Sequence, residues 1–240
     1  MPIYSTAGEF VGSAMFSDAT FLTALQHADS FFPSGSMAFS WGLEGLFADG
    51  NVRSAKDVRG FLEGQLWLRW ATCDRVFLVA AHRAADDLAE VASIDRELAA
   101  MTLPREMRDG AGRAGAALLG VHLRLGTSRA GAYRRLVRDG TAPGHLPVVQ
   151  GLLLGAIGLD ERVSCGIAAH MLCVGIASAA LRLGIVTHVE AQSVLSGLRD
   201  GVAALLAEPV PPIAEARMFV PGTDIASTHH ETQAGRLFAN

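Results

Sequence analysis

Val163–Leu181 reads VSCGIAAHMLCVGIASAAL. It contains no Asp, Glu, Lys or Arg, and it is closed by Glu161-Arg162 on one side and by Arg182 on the other. A run of this length is the first thing to test as a membrane span. Its composition points elsewhere. The bulky apolar residues are Val163, Ile167, Met171, Leu172, Val174, Ile176 and Leu181; the rest are mostly Ala, Gly, Ser and Cys, with His170 near the middle. Small side chains let neighbouring helix backbones approach closely, so the stretch is expected to be the central helix of a bundle, apolar all round because protein surrounds it. Seven bulky side chains are worth roughly 10–20 kcal/mol if fully buried. Ordering the backbone costs roughly 1–2 kcal/mol per residue. Such a helix needs neighbours from the rest of the chain, and His170 is expected to be a satisfied core histidine.

The composition sets further bounds. A 240-residue chain suits one domain or at most two. The formal charge of −4 gives no reason to expect nucleic acid or an anionic membrane as a partner. Lys56 is the only lysine, flanked by Ala55 and Asp57, so no GxxxxGK[ST] phosphate loop exists. Arg53 stands three residues before it, which removes an SxxK serine mechanism. Cys73, Cys165 and Cys173 form no CxxC pair. Two of them lie in the uncharged stretch, where they act as small hydrophobes. A reducing, cytoplasmic location is expected, and residues 1–17 lack the basic start of a secretory signal.

Helical spacing recurs along the chain. Asp18 can cap a short helix carrying Phe21, Leu22 and Leu25. Ser54–Asp57 reads as a helix start followed by Val58, Phe61, Leu62 and Leu66. Pro104 suits the first turn of a helix running through Ala114, Leu118 and Leu125. No period-two stretch is long enough to claim a sheet. The expected fold is all-α, a single bundle of about eight to ten helices. The expected division is a loose N-terminal arm (1–17), the helical domain (18–208) and a tail (209–240). Pro209, Pro211 and Pro212 stop the last body helix, Pro221-Gly222 reads as a turn, and Thr223 or Asp224 as the cap of a short tail helix. Apolar residues at an end that would normally fray imply docking, on the body or on a partner.

Three stretches carry a resemblance. Asp29-Ser30-Phe31-Phe32-Pro33-Ser34-Gly35, followed by Ser40, Gly42, Leu43 and Glu44, is the first. His145-Leu146-Pro147-Val148-Val149-Gln150-Gly151 with Ala179-Ala180-Leu181-Arg182-Leu183-Gly184 and Gln192 is the second. Asp224-Ile225-Ala226 with His230-Glu231-Thr232-Gln233 and Arg236-Leu237-Phe238 is the third. In this order they resemble the urease accessory protein UreF family. The resemblance implies an all-α, non-enzymatic adaptor of nickel-urease maturation, commonly a homodimer. It would work with an accessory GTPase (UreG) and a scaffold (UreD, also called UreH) on the urease apoprotein. It further implies no tightly bound cofactor and at most a transient nickel contact. Glu44 and Arg182 become candidate GTPase contacts; His230, Glu231, Arg236, Leu237 and Phe238 become the scaffold-binding element. Asp29, Ser30, Pro33, Gly35 and Gly42 are assigned to shaping the backbone of the first motif.

Arg182 also has a simpler reading as a cation at a helix C-terminus. Adjacent histidines such as His229 and His230 point apart on a helix and chelate poorly. The competing reading is a metal-dependent hydrolase using His82, Asp86, His229, His230 and Glu231. It requires those residues to converge, and no HExxH helix or GxSxG elbow assists it.

Overall fold

In the computed structural model of the chain the described residues are 17–35, 37, 39–230 and 237–238. They form α1 (Asp18–Ala28), α2 (Leu43–Ala48), α3 (Ala55–Gln65), α4 (Arg75–Arg83), α5 (Leu88–Met101), α6 (Arg105–Arg124), α7 (Ala130–Arg138), α8 (Leu146–Ala156), α9 (Glu161–Arg182), α10 (His188–Gly197), α11 (Arg199–Ala207) and α12 (Pro221–His230). A π-helical segment, Leu66–Asp74, joins α3 to α4, and a short 3₁₀ turn covers Ile213–Glu215. No strand occurs among the described residues. The all-α expectation holds. The count exceeds the expected range because two rods are interrupted: the π segment divides 55–83 and Leu198 divides 188–207. Counted as rods, they give ten helices.

Of the helix starts marked in the sequence, Ser54 is used as read, whereas Ser17 rather than Asp18 caps α1; Asp160 and Thr187 supply caps beyond those expected. Ser54 accepts the Asp57 N–H at the start of α3, and Asp160 accepts the Val163 N–H at the start of α9. Thr187 and Glu190 complete a reciprocal capping box on α10. Of the N-terminal arm only Ser17 is described, and it caps α1 through the Thr20 N–H; the remainder lies outside the described residues. Pro221 opens α12 rather than making a turn before it, so that helix starts earlier than expected. Proline suits the first helical position, where its missing N–H costs nothing.

α9 runs through the bundle, touching α1, α2, α3, α4, α8, α10 and α11. It is the one described helix long and apolar enough to cross a membrane, and most of its length is buried against these neighbours. One expectation needs correcting. α9 is not covered all round, and His170 is exposed. The ridge Arg162, Gly166, His170, Val174, Ser178, Arg182 repeats every fourth residue, and between Ser164 and Ala180 it is the only strip of the helix left partly open. Partial shielding by its neighbours, then the charge of Arg199, holds the His170 pKa below its usual value.

α4 and α8 form the closest helix pair. A Cβ at Gly151 would run into the Leu78 carbonyl oxygen, so only glycine permits this approach. Above α8, the fully buried Asp95 of α5 accepts the Tyr133 hydroxyl (2.6 Å), the Gly144 N–H (2.6 Å), the His145 N–H (3.1 Å) and His145 Nδ1 (2.9 Å). One carboxylate thereby fixes the Pro143–His145 loop that leads into α8.

Candidate partner-docking site

The first motif turns the chain back on itself. Asp29 Oδ1 accepts the Phe31 N–H at 2.8 Å, closing an Asx turn. Gly35 sits at φ 76° with no room for a Cβ against Ala117 of α6. Trp41 and Gly42 then take two successive left-handed conformations, φ 59° and 86°. Gly42 adopts that region readily; Trp41 is held there at a cost. Buried Trp41 packs under the Arg69 guanidinium, 5.1 Å from the ring centroid. The double reversal starts α2 at Leu43 and carries Glu44 into the protein, where it is 7% exposed.

The tail closes over it. After α11 the chain runs antiparallel to the π segment, with the Arg217 and Phe219 N–H groups donating to the Thr72 and Leu68 carbonyls at 2.9 and 3.2 Å. A π turn displaces carbonyls from the regular α-helical ladder. Here two of the segment's carbonyls bind the returning chain. The same segment brings Arg69 and Asp74 together at 3.3 Å, both buried. Burial raises the Asp74 pKa, and Arg69 opposes the rise.

α12 then lies on α2. The Thr223 hydroxyl accepts Gln65 Nε2 at 2.6 Å, and a Cβ on Gly45 would come 2.8 Å from the Ala226 carbonyl oxygen. Glu44 Oε1 accepts the Leu237 N–H at 2.7 Å, and Oε2 accepts the Phe238 N–H at 3.1 Å. Arg182, in the last turn of α9, lies 4.1 Å from the Phe238 ring centroid and donates to the Met37 carbonyl at 2.5 Å. Desolvation lowers the Arg182 pKa, and the nearby Glu44 charge counters it. Phe238 is buried, while Leu237 is 58% exposed.

The described residues of the C-terminal end are therefore docked on this chain's own body, through the Phe238 ring and the Leu237-Phe238 backbone. Pieces of all three sequence stretches meet at one point: Glu44, Arg182 and Leu237-Phe238. A guanidinium over an aromatic face contributes roughly 0.5–2 kcal/mol, and hydrogen bonds to a charged acceptor roughly 1.5–3 kcal/mol.

A family profile for UreF matches residues 52–199. The chain is 33% identical over 226 residues to the urease accessory protein UreF of Trichodesmium erythraeum, covering 91% of this chain and 96% of that protein. It is 30% identical over 222 residues to the proteins of the same name from Yersinia enterocolitica and Yersinia pseudotuberculosis, covering 90% of this chain and 96% of each of them. The chain belongs to the UreF family. That family is one of urease accessory factors without catalytic activity of their own.

In this UreF-family chain Arg182 lies within the matched residues, whereas Glu44 and the Leu237-Phe238 pair lie outside them. Glu231 and Arg236, and the side chains of His229 and His230, lie outside what is described; the backbone of His230 ends α12. Of the residues in the hydrolase reading, His82 and Asp86 are the ones whose side chains are described, and each is engaged elsewhere. His82 Nε2 bonds the Leu159 carbonyl at 2.8 Å, while Asp86 on the surface pairs with Arg129. Among the described residues no three His, Cys, Asp or Glu side chains are placed to hold a metal.

Sequence reading missed Arg69, Trp41 and Asp95. An arginine inside the apolar run Leu66–Thr72 was the available signal for the first. Nothing local marks Asp95, whose donors lie 38 to 50 residues away.

Proposed function

We propose that the chain is a non-catalytic chaperone of urease maturation that bridges the accessory GTPase (UreG) and the scaffold protein (UreD/UreH), so that GTP hydrolysed by the former drives nickel insertion into the urease apoprotein. The observation carrying this reading is the tail lock. Glu44 grips main-chain N–H groups and leaves the Leu237 side chain outward, so the terminal residues are retained through their backbone while an apolar side chain stays available. In this reading the scaffold takes up the tail, with Arg236, Leu237 and Phe238 as anchor and His230-Glu231 beside it. Once the tail has left, Glu44 and Arg182 form part of the GTPase face. The missing phosphate loop supports a GTPase supplied by another chain. Nickel is cargo here, and no resident cofactor is proposed.

The adaptor acts as a homodimer in the cytoplasm. Support for a second copy comes from α1, which exposes Phe21, Leu22 and Leu25, continued by Phe31 at 90% exposure. Exposed apolar residues grouped in this way mark an interaction face.

Co-expression with the GTPase and the scaffold tests the proposal. Size exclusion is expected to give one complex containing all three. Deleting Thr223–Asn240 should leave helicity by circular dichroism nearly intact while abolishing co-purification with the scaffold. A truncated chain that still co-purifies at full yield defeats the tail as scaffold anchor, and a full chain that ignores both companions defeats the adaptor reading.

A further inference from the structure

The body holds two buried arginines, and they are treated differently. Arg69 has Asp74 as counter-ion and the Trp41 ring beneath it. Arg75, at the start of α4 and 4% exposed, has no carboxylate within ion-pair distance among the described residues. Its Nη2 donates to the Glu208 carbonyl at 2.5 Å, its guanidinium reaches the Cys165 thiol, and its Nε is buried without a partner. A guanidinium taken out of water with only neutral acceptors is costly, and anionic partners are what that group binds best.

Arg75 also lines a cavity of about 280 Å³ between α4, α9 and the segment leaving α11. Two more arginines, Arg83 and Arg162, line it, together with Cys165, Val79 and Leu206. Arg83 is spoken for by Glu161, through two hydrogen bonds of 2.7 Å. Glu208 contributes its carbonyl to Arg75, and its residue is otherwise exposed. Arg162 is exposed at the rim. Arg162 and Cys165 stand on the first turns of α9, whose N-terminus is already capped by the Asp160 carboxylate and adds nothing to the site. A buried guanidinium with no carboxylate partner and a second arginine thus border one space the size of a small ion with its hydration.

We infer that this cavity is a binding site for a small tetrahedral oxyanion of the phosphate class, held by Arg75 from inside and Arg162 from the rim. The Arg83–Glu161 pair forms one wall and keeps Glu161 from competing for Arg75. The site lies where the tail leaves the body, at Glu208–Val210, so an anion here would tie α4 and α9 to the root of the tail.

Isothermal titration of the full chain with inorganic phosphate, at constant ionic strength in chloride, tests this. Saturable binding to one site is expected. Arg162→Gln, a change at an exposed position, should weaken it about 10-fold, the loss of one charge-assisted contact. Arg75→Gln should abolish it. A parallel titration with adenosine monophosphate separates two sources. Binding of phosphate alone assigns the site to the free ion, and equal binding of both assigns it to the terminal phosphate of a larger molecule; either upholds the site. Absence of saturable binding to the wild-type chain, or unchanged affinity in Arg162→Gln, overturns it whether or not Arg75→Gln folds.

Discussion

Glu44 and Phe238 lie 194 residues apart in the chain and are joined by a 3.1 Å hydrogen bond from the Phe238 N–H to the buried Glu44 carboxylate. The other oxygen of that carboxylate holds Leu237 at 2.7 Å. The last described residues of the chain are thereby held by a single side chain on a six-residue helix.

Glu44→Gln tests this arrangement with little change of volume. The amide retains one acceptor, so one tail N–H loses its partner, and charge assistance disappears from the other. The expected cost is about 1–3 kcal/mol, confined to the tail. Limited proteolysis should cut the tail markedly faster while circular dichroism stays as in the wild type. Unaltered cleavage would mean that the terminal residues are held by something other than Glu44.

Asp95→Asn should be more damaging. Four donor groups converge on the carboxylate, and an amide must turn its own NH₂ toward some of them. The expected loss is about 3–5 kcal/mol, the range for breaking a buried charged network. Chemical denaturation reads this directly, and an unchanged midpoint would show that the loop before α8 is fixed by its prolines alone.

Gly151→Ala probes the α4–α8 contact. The added methyl has to displace the Leu78 carbonyl, so destabilisation of about 1–3 kcal/mol is expected from overpacking. Gly60→Ala, where the new methyl meets nothing within 4 Å, should be neutral or stabilising. Equal effects from the two changes would exclude close helix approach as the reason for Gly151.

Acid should weaken the contact of α1 with the body before it weakens the rest. Fully buried His122 of α6 forms a triangle of rings with His27 of α1 and Phe32, whose centroids are 5.3 and 5.8 Å from its own and 4.6 Å from each other, and Thr127 Oγ1 is 2.9 Å from its Nδ1. Burial first, then the neighbouring His27, lower its pKa from 6.5 to about 4. The native state therefore favours neutral His122. The unfolded chain binds the extra proton between those values, so stability is full above pH 6.5 and falls as pH drops toward 4. The loss amounts to as much as about 3 kcal/mol. Denaturation midpoints of wild type and His122→Phe, compared between pH 7 and 4.5, should converge as the acid dependence of the wild type is removed. Parallel pH profiles would assign acid sensitivity elsewhere.

How far the sequence revealed this protein depends on the range of the interaction concerned. Caps such as Ser54 and the box at Thr187 are local hydrogen bonds between residues three apart, and their signals are complete within the segment. The uncharged run announces α9, yet the open ridge through His170 was hidden because it contains Gly, Val and Ser as well as charge. Which face of so uniform a helix is left uncovered is decided by its neighbours. The motif residues Glu44, Arg182 and Leu237-Phe238 were each visible, but their meeting was not, since it requires the double reversal at Trp41-Gly42 and the whole path of the tail. The π segment was unreadable for a similar reason. The apolar spacing through Trp67 and Trp70 fits an ordinary helix, and the extra residue per turn shows only when the returning chain is seated against Leu68 and Thr72.

That extra residue is absorbed by the π segment between α3 and α4. A π turn takes up an added residue by widening, so removing a single residue from Leu66–Asp74 would let the ladder close regularly, leaving α3 and α4 close to their present phase while re-aiming the side chains and carbonyls within the segment. Arg69 would no longer face Asp74, and the two carbonyl ledges that seat Arg217 and Phe219 would turn away. The path of the returning chain at Arg217–Phe219 is thus keyed to a counting irregularity far upstream, and it finds its seat only on a rod that is, by the measure of a perfect helix, one residue too long.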